Sequence, residues 1–225
     1  MLKLLRALSP RDELIIVVGG AFGYSIVGSI LIAFTNKPGA PLFSGSDFKR
    51  LLVEELIVLV VLTTFLRIRG WTVERIGLGP SLRETLLGLG LALIIIFTHM
   101  AVWIVAAGTS SHALAAGQNF NFVEGTIEPA VVIAVSIVNP IFEELFLCGY
   151  LVTALKDRAG PRTAINISVG IRLLCHLYQG IVGVIFIVPF GLILTYWYAR
   201  EGRLWPLIVA HVVFDFFPLL AYASN

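Results

Sequence analysis

Two adjacent carboxylates, Glu143 and Glu144, lie in the middle of an otherwise apolar run of residues 129–155. A run of this length is typical of a membrane-spanning helix, because about 20 apolar residues cross the hydrocarbon core. An ionisable group near the bilayer centre costs several kcal/mol, so the pair needs polar partners from other segments. Later apolar segments carry such side chains, at Arg172, His176, His211 and Asp215.

The composition excludes a soluble globular domain. The chain is 58% hydrophobic and 13% charged, whereas about a quarter of the residues in a soluble domain are charged. Its apolar residues come in blocks near the length of a membrane span, which predicts an integral, multi-pass membrane protein of the all-α class. We expect about seven transmembrane helices, at residues 14–35, 51–66, 86–107, 130–155, 163–178, 181–198 and 204–222.

The predicted helices divide into two regions. Residues 1–128 hold the first three helices, and residues 129–225 form a four-helix core that carries the polar side chains. Loops at 36–50 and 108–128 are predicted on the external side. Of the 16 basic residues, the external segments hold only Lys37, Lys49 and Arg50. Because cytoplasmic loops are enriched in Lys and Arg, we expect a cytoplasmic N-terminus and an external C-terminus, in the plasma membrane if the source is prokaryotic.

The depths of the polar residues can be compared, because the fourth and fifth predicted helices are antiparallel and joined by a short loop. At about 1.5 Å per residue, Glu143 and His176 lie roughly 18 and 20 Å from the cytoplasmic end. On the same basis, Glu144 and Arg172 lie at roughly 16 and 15 Å. The matching depths predict contacts of Glu143 with His176 and of Glu144 with Arg172.

These residue types suit hydrolytic chemistry in a wet cavity within the membrane. A carboxylate beside an imidazole can act as a general base toward water, a role that fits Glu143 with His176. His211 and Asp215 are four residues apart and share a helix face, from which they can donate to, or orient a donor toward, an oxyanion. Pro140, one turn before Glu143, removes a backbone hydrogen bond and is expected to kink its helix.

A metal site is the alternative use of the same side chains. Glu143, His176 and His211 match the two-histidine, one-carboxylate set that holds catalytic zinc. We favour hydrolysis without a cofactor, because His176 has a carboxylate partner at matching depth and Asp215 fits poorly into a tetrahedral set. The residues by themselves leave Zn²⁺ open.

Three motifs now carry a resemblance to a known family. They are Glu143-Glu144 followed by Leu-Phe and Gly-Tyr, then Leu-Leu-Cys-His176-Leu-Tyr-Gln-Gly, then His211-Val-Val-Phe-Asp215. In this order they resemble the CPBP intramembrane protease family, which includes CAAX prenyl endopeptidases and bacteriocin-processing or self-immunity proteins. The resemblance implies an endopeptidase in which Glu143 and His176 activate water, and in which His211 and Asp215 form the oxyanion site.

The resemblance also implies a membrane-anchored peptide or protein substrate that is cleaved near its C-terminus, with a prenylated CAAX tail as one example. The expected partners are this substrate and the lipid bilayer, and no nucleic acid. The chain departs from the family pattern at Cys148, where an arginine is usual, and at Arg172, where a phenylalanine is usual. We interpret the two departures as an exchange that moves the cation neutralising Glu144 to the next helix. Asp215 also stands where the third motif often has asparagine.

Other functions use similar residues. A proton-coupled transporter can use buried carboxylates and histidines as a relay, but no repeat relates the two halves of this chain. A retinal protein needs a lysine in a late span, and the lysines here are Lys3, Lys37, Lys49 and Lys156. A catalytically inactive scaffold that binds membrane peptides therefore remains the main alternative to a protease.

Five further residues are interpreted as structural. Glu54 and Glu55 lie about one turn from a predicted helix end, where long side chains can reach water. His99 stands alone and is expected to be a hydrogen-bonded structural histidine. Cys148 and Cys175 fit small core residues better than nucleophiles.

Overall fold

The computed structural model describes residues 2–35, 43–109 and 123–223, and helices dominate it. The helices are α1 (Leu2–Ala7), α2 (Pro10–Thr35), α3 (Gly45–Ile68), α4 (Leu82–Thr109), α5 (Pro129–Glu144), α6 (Thr153–Ala159), α7 (Pro161–Cys175), α8 (Gly180–Glu201) and α9 (Trp205–Leu220). A π-helical segment, Leu145–Val152, joins α5 to α6, and a 3-10 turn, Leu177–Gln179, joins α7 to α8. The two-residue strands β1 (Phe43–Ser44) and β2 (Val123–Glu124) pair in parallel. The predicted all-α class is confirmed.

Within the described residues, four helical stretches are long and apolar enough to cross a membrane. They are Pro10–Thr35, Leu82–Ala106, Pro129–Ala159 and Leu177–Glu201. Helix α3 carries several charged residues, and the 15 residues of α7 extend about 22 Å, less than the roughly 30 Å of a hydrocarbon core. The chain is an integral membrane protein of helical construction, and the count of seven spans stays a prediction.

Apolar side chains cover the outer faces of the long helices. On α3, for example, the exposed fraction of each side chain is 43–64% along one face, at Val53, Leu56, Ile57, Val60 and Val61. A continuous apolar face of this kind suits contact with lipid. This face supports a place in the membrane for α3 despite its charged residues.

The two regions predicted from the sequence share one hydrophobic core. The core combines buried side chains of α2, α3, α4, the π-helical segment and α9, among them Phe22, Leu62, Ile95, Phe146 and Leu207. Helices of the first region therefore form part of the wall around the helices of the second. The division at residues 128 and 129 stays a prediction.

Helices α4 and α9 approach closely at Gly88. A Cβ at this position would lie 2.6 Å from the Cβ of Val209 and 2.8 Å from the carbonyl oxygen of Pro206. A larger residue would push the two helices apart. This contact positions α9, and with it His211, in the bundle.

The alternation of helix directions gives the bundle two chemically different ends. One end, called the basic end here, carries the helix termini near Arg11, Arg67, Arg83, Arg158 and Arg203. The other, called the strand end, carries β1, β2 and the last described residues, where the backbone N–H of Ile127 donates to the carbonyl of Tyr222 at 2.8 Å. The two termini of the described chain therefore lie at opposite ends of the bundle.

Candidate active site

Glu143 and Glu144 are the last residues of α5, and the backbone widens into the π-helical segment directly after them. Glu144 is fully buried and Glu143 is 8% exposed. Segments of π-helix often occur at functional sites. The sequence predicted an irregularity at Pro140, but Pro140 lies inside α5 and the altered hydrogen bonding begins downstream, at Leu145.

Arg172 of α7 holds both carboxylates. Its Nη1 donates to Oε2 of Glu143 at 2.9 Å, and its Nη2 donates to Oε1 of Glu144 at 2.7 Å. The guanidinium is almost completely buried, so its charge is balanced inside the protein. The structure brings Arg172 and Glu144 together, as the matching depths predict, and it adds Glu143 as a second partner that the sequence did not predict.

His176 lies just beyond the end of α7. The sequence predicted a helix through residue 178, which is wrong, because the helix ends at Cys175 and His176 has φ −117° and ψ 12°. Its Nδ1 lies 2.8 Å from the carbonyl oxygen of Arg172, and its Nε2 lies 3.9 Å from Oε1 of Glu143. The imidazole is therefore near Glu143, as predicted, but too far for a direct hydrogen bond. A water can lie within hydrogen-bond distance of both groups.

His211 and Asp215 lie on α9. Nδ1 of His211 contacts Oε1 of Glu144 at 2.7 Å, a contact that the sequence did not predict. Nε2 of His211 lies 3.5 Å from Oδ2 of Asp215, so the two residues share a face as their spacing predicts. Glu144 thus joins Arg172 and His211 in one buried network.

A cavity of about 240 Å³ borders this network on the side of the strand end. Its walls come from α2, α3, α5 and the turn after α7, and include Ser29, Glu55, Asn139, Glu143 and His176. In the described part of the chain, Glu143 and His176 are the members of the polar network that line it. A molecule in the cavity can therefore reach this pair, while Glu144 and its partners lie behind Glu143.

Glu55 is the residue that the sequence interpretation misplaced. Its carboxylate is 6% exposed, and Oε1 accepts a hydrogen bond from Nδ2 of Asn139 at 2.6 Å. The side chain of Glu54 is 42% exposed and lies 3.8 Å from Arg50, so the interfacial interpretation fits Glu54 only. The predicted helix began at residue 51, whereas α3 begins at Gly45 and buries Glu55 about 15 Å along its length.

The remaining residues singled out from the sequence lie outside the network or support it. His99 contacts the carbonyl oxygens of Ile95 and Phe186, both at 2.9 Å, which agrees with a structural role. Cys148 and Cys175 are free and buried. The thiol of Cys148 lies 3.7 Å from the hydroxyl of Thr195.

One group of donor atoms in the described residues could hold a metal ion. Glu143, Glu144 and His211 each offer a ligand atom, and these atoms lie within 4.8 Å of one another. The zinc set expected from the sequence has His176 in place of Glu144. Both carboxylates of the observed group already accept hydrogen bonds from Arg172.

Comparison with known proteins identifies the region that holds this network. Residues 125–217 match the family model described as type II CAAX prenyl endopeptidase Rce1-like. Over these residues, which make up less than half of the chain, the chain is similar to the Rce1-like family. The resemblance drawn from the three motifs is thereby confirmed. No curated protein and no solved structure matches the chain.

The Rce1-like region contains every residue of the buried network, from Glu143 on α5 to Asp215 on α9. Glu55 lies outside that region, on α3. The cavity is therefore built from the Rce1-like region on one side and from the N-terminal helices on the other. The Rce1-like family is a protease family, and the cluster of glutamates and histidines is compatible with that activity.

Proposed function

We propose that this protein is an intramembrane endopeptidase that hydrolyses a peptide bond near the C-terminus of a membrane-associated segment. The Rce1-like match supports the protease class. The observation that carries the proposal is the pair of Glu143 and His176 on the wall of a cavity inside an apolar helical bundle. A prenylated CAAX tail is the substrate class that the family description suggests.

In the proposed reaction, Glu143 is the general base. Arg172 occupies Oε2 of Glu143, so Oε1 is the oxygen that faces His176 across 3.9 Å. A water between them loses a proton to Oε1 while its oxygen attacks the peptide carbonyl carbon. When the tetrahedral intermediate collapses, the C–N bond breaks and the same proton passes to the leaving amine. His176 orients the water through Nε2, since its Nδ1 is held at the carbonyl of Arg172.

His211 and Asp215 are the proposed oxyanion side of the site. Glu144 holds Nδ1 of His211, and the 3.5 Å from Nε2 to Asp215 is too long for a strong hydrogen bond. When both ring nitrogens are protonated, the N–H at Nε2 is the proposed donor to the oxyanion. Because His211 does not line the cavity, this role requires the substrate carbonyl to reach past Glu143. Loss of such a donor typically costs about 10²–10³-fold in kcat, which is the effect expected for His211→Ala.

We propose a mechanism without a metal, because the donor set does not fit a divalent cation. A guanidinium stays protonated, so a cation bound by Glu143 and Glu144 would lie beside the fixed positive charge of Arg172. A chelator is accordingly expected to leave the rate unchanged, and added zinc is expected to have no activating effect. A rate that falls with chelation and returns with zinc would contradict this proposal.

A peptide-cleavage assay tests the proposed function. The purified full chain in lipid nanodiscs is incubated with a farnesylated peptide that ends in a CAAX sequence, and mass spectrometry identifies the products. We expect one cut near the C-terminus with the wild type and with the control variant Glu201→Ala, and no cut with Glu143→Ala. Glu201 is exposed at the end of α8 and does not line the cavity. Equal cleavage by Glu143→Ala would overturn the proposal.

A peptide-binding scaffold is the second candidate function. The hydrogen bond from Arg172 to Glu143 favours it, because one oxygen of the proposed base is already held by a fixed donor. Under this alternative, the wild type binds the farnesylated peptide and leaves it intact in the same assay.

A further inference from the structure

We propose that Glu55 is a substrate-binding residue, whose unpaired carboxylate oxygen accepts a hydrogen bond from a backbone N–H of the peptide in the cavity. This inference rests on the proposed function, because it assigns a subsite within the same cavity. The residue comes from α3, outside the Rce1-like region.

The first observation is the environment of the carboxylate. Glu55 is 6% exposed and lines the cavity. Asn139 donates to Oε1, and among the described residues no donor reaches Oε2, which is itself buried. A buried polar atom without a partner costs about 1–3 kcal/mol. A ligand that donates a hydrogen bond to this oxygen would remove that cost.

The second observation is the contrast with the charges at the mouth of the cavity. Arg50 lies 3.1 Å from Asp47 and 3.8 Å from Glu54, so each of these two carboxylates has a cationic partner. The partner of Glu55 is the neutral amide of Asn139. Packing alone would be served better by a leucine, because a buried carboxylate is a poor stabiliser.

The third observation is the distance to the proposed base. Asn139 and Glu143 are four residues apart on α5, which puts their Cβ atoms about 6 Å apart on one face of the helix. Glu55, held by Asn139, is therefore about one helical turn from Glu143, toward the strand end. An extended peptide advances about 3.3 Å per residue, so Glu55 meets the chain one or two residues from the scissile bond.

The chemistry of the walls indicates a neutral donor. Apolar side chains line the same cavity as the carboxylate, among them Phe22, Ile32, Phe48 and Phe142. A backbone amide enters such surroundings at a lower cost than an ammonium group does. A glutamine at position 55 retains an acceptor oxygen and should serve an amide N–H nearly as well as the native residue.

The test is a double-mutant cycle. One change removes the acceptor on the protein, and the other removes the donor on the peptide. The probe is a fluorescent farnesylated CAAX peptide, compared with versions N-methylated at single positions within two residues of the scissile bond. Kd is measured by anisotropy with the full chain in nanodiscs, and empty nanodiscs give the background. Against the wild type, we expect one N-methylated peptide to bind about tenfold more weakly, the effect of losing one hydrogen bond.

The variants identify the acceptor. Glu55→Leu should bind the parent peptide about tenfold more weakly and should lose nothing further on N-methylation, because the two groups form one contact. Glu55→Gln should stay within about threefold of the wild type. The control Glu201→Gln, at the exposed end of α8 and away from the cavity, should be unchanged. Because glutamine preserves the shape of the side chain, the Glu55→Gln variant separates the loss of the acceptor from a general disturbance of the fold.

Three results would overturn the subsite. They are an unchanged Kd in Glu55→Leu, N-methylation effects that persist undiminished in Glu55→Leu, and a glutamine variant as weak as the leucine variant. Binding is measured independently of cleavage, so an active Glu143→Ala overturns the proposed hydrolysis and leaves this cycle intact. A wild type that binds none of the peptides would overturn both proposals.

Discussion

At the scale of single residues, Arg172 is the side chain that connects the two carboxylates of the buried network. It is 1% exposed, donates to two carboxylates, and lies with its guanidinium 5.2 Å from the ring centre of Phe190. Gly191 leaves room for it, since a Cβ there would lie 3.3 Å from Cδ of Arg172. Removal of the guanidinium would leave the buried carboxylates of Glu143 and Glu144 without the hydrogen bonds that it donates.

The first prediction follows from this burial. Arg172→Leu should lower the free energy of unfolding by about 3–5 kcal/mol, the usual cost of stranding a buried charge. Thermal unfolding in detergent measures the loss. Cys148 lies near both Glu144 and Arg172, so an arginine there can reach Glu144.

The control for this prediction moves the buried cation from position 172 on α7 to position 148 in the π-helical segment. The double variant Cys148→Arg with Arg172→Phe should recover much of the stability that Arg172→Phe alone loses. A double variant no more stable than the worse single variant would show that the position of the cation cannot move.

The sequence predicted the contact of Glu144 with Arg172, because in antiparallel neighbouring helices the number of residues from the connecting loop gives the depth of each side chain. It misassigned Glu55 because helix boundaries are uncertain by a few residues, and six residues separated the predicted start of the helix from Gly45. A carboxylate near a helix end reaches water, but one about 15 Å inside does not.

At the scale of helices, the end of α7 determines where His176 points. The backbone N–H of Tyr178 donates to Oγ of Ser29 on α2, at 3.1 Å, and Gly180 has φ +65° in the same turn. These contacts depend on α2, so hydropathy could not locate them. The π-helical segment after Glu144 has no sequence signature of its own either, and its position was not predicted.

The second prediction concerns the contact of α4 with α9. Gly88→Ala should lower the free energy of unfolding by about 1–3 kcal/mol, because its methyl group would overlap Val209 and Pro206. Gly90→Ala is the matched control on the same helix, since a Cβ there has nothing within 4 Å. If both variants unfold at the same temperature, the close approach at Gly88 is wrong.

At the scale of the whole molecule, charge and cavity lie at opposite ends. Most basic residues lie at the basic end, while the cavity lies toward the strand end and has Phe43 and Asp47 among its walls. If the basic end is cytoplasmic, as the positive-inside rule predicts, a substrate segment enters from the external side.

The third prediction is this orientation. In cells, a membrane-impermeant maleimide should label Ser46→Cys at the strand end, and should label Asp157→Cys at the basic end only after the membrane is permeabilised. Both positions are exposed, and the native cysteines are buried. The reverse labelling pattern would contradict the predicted topology.

Composition and hydropathy were sufficient to predict an all-α membrane protein, because blocks of apolar residues leave the backbone few other ways to satisfy its hydrogen bonds in lipid. They do not decide the number of crossings, since α3 mixes charged residues with an apolar face and α7 is short. The buried polar residues predicted a wet cavity but not its walls, because the walls come from helices far apart in the sequence.

The central claim is that Glu143 activates water in the cavity. The most direct measurement is the single-turnover rate of cleavage of the farnesylated peptide by Glu143→Gln, which preserves the shape of the side chain and removes the base. We predict a rate at least roughly 10²-fold below that of the wild type, with the Kd of the peptide unchanged. A Glu143→Gln variant that cleaves at the full rate would contradict the claim.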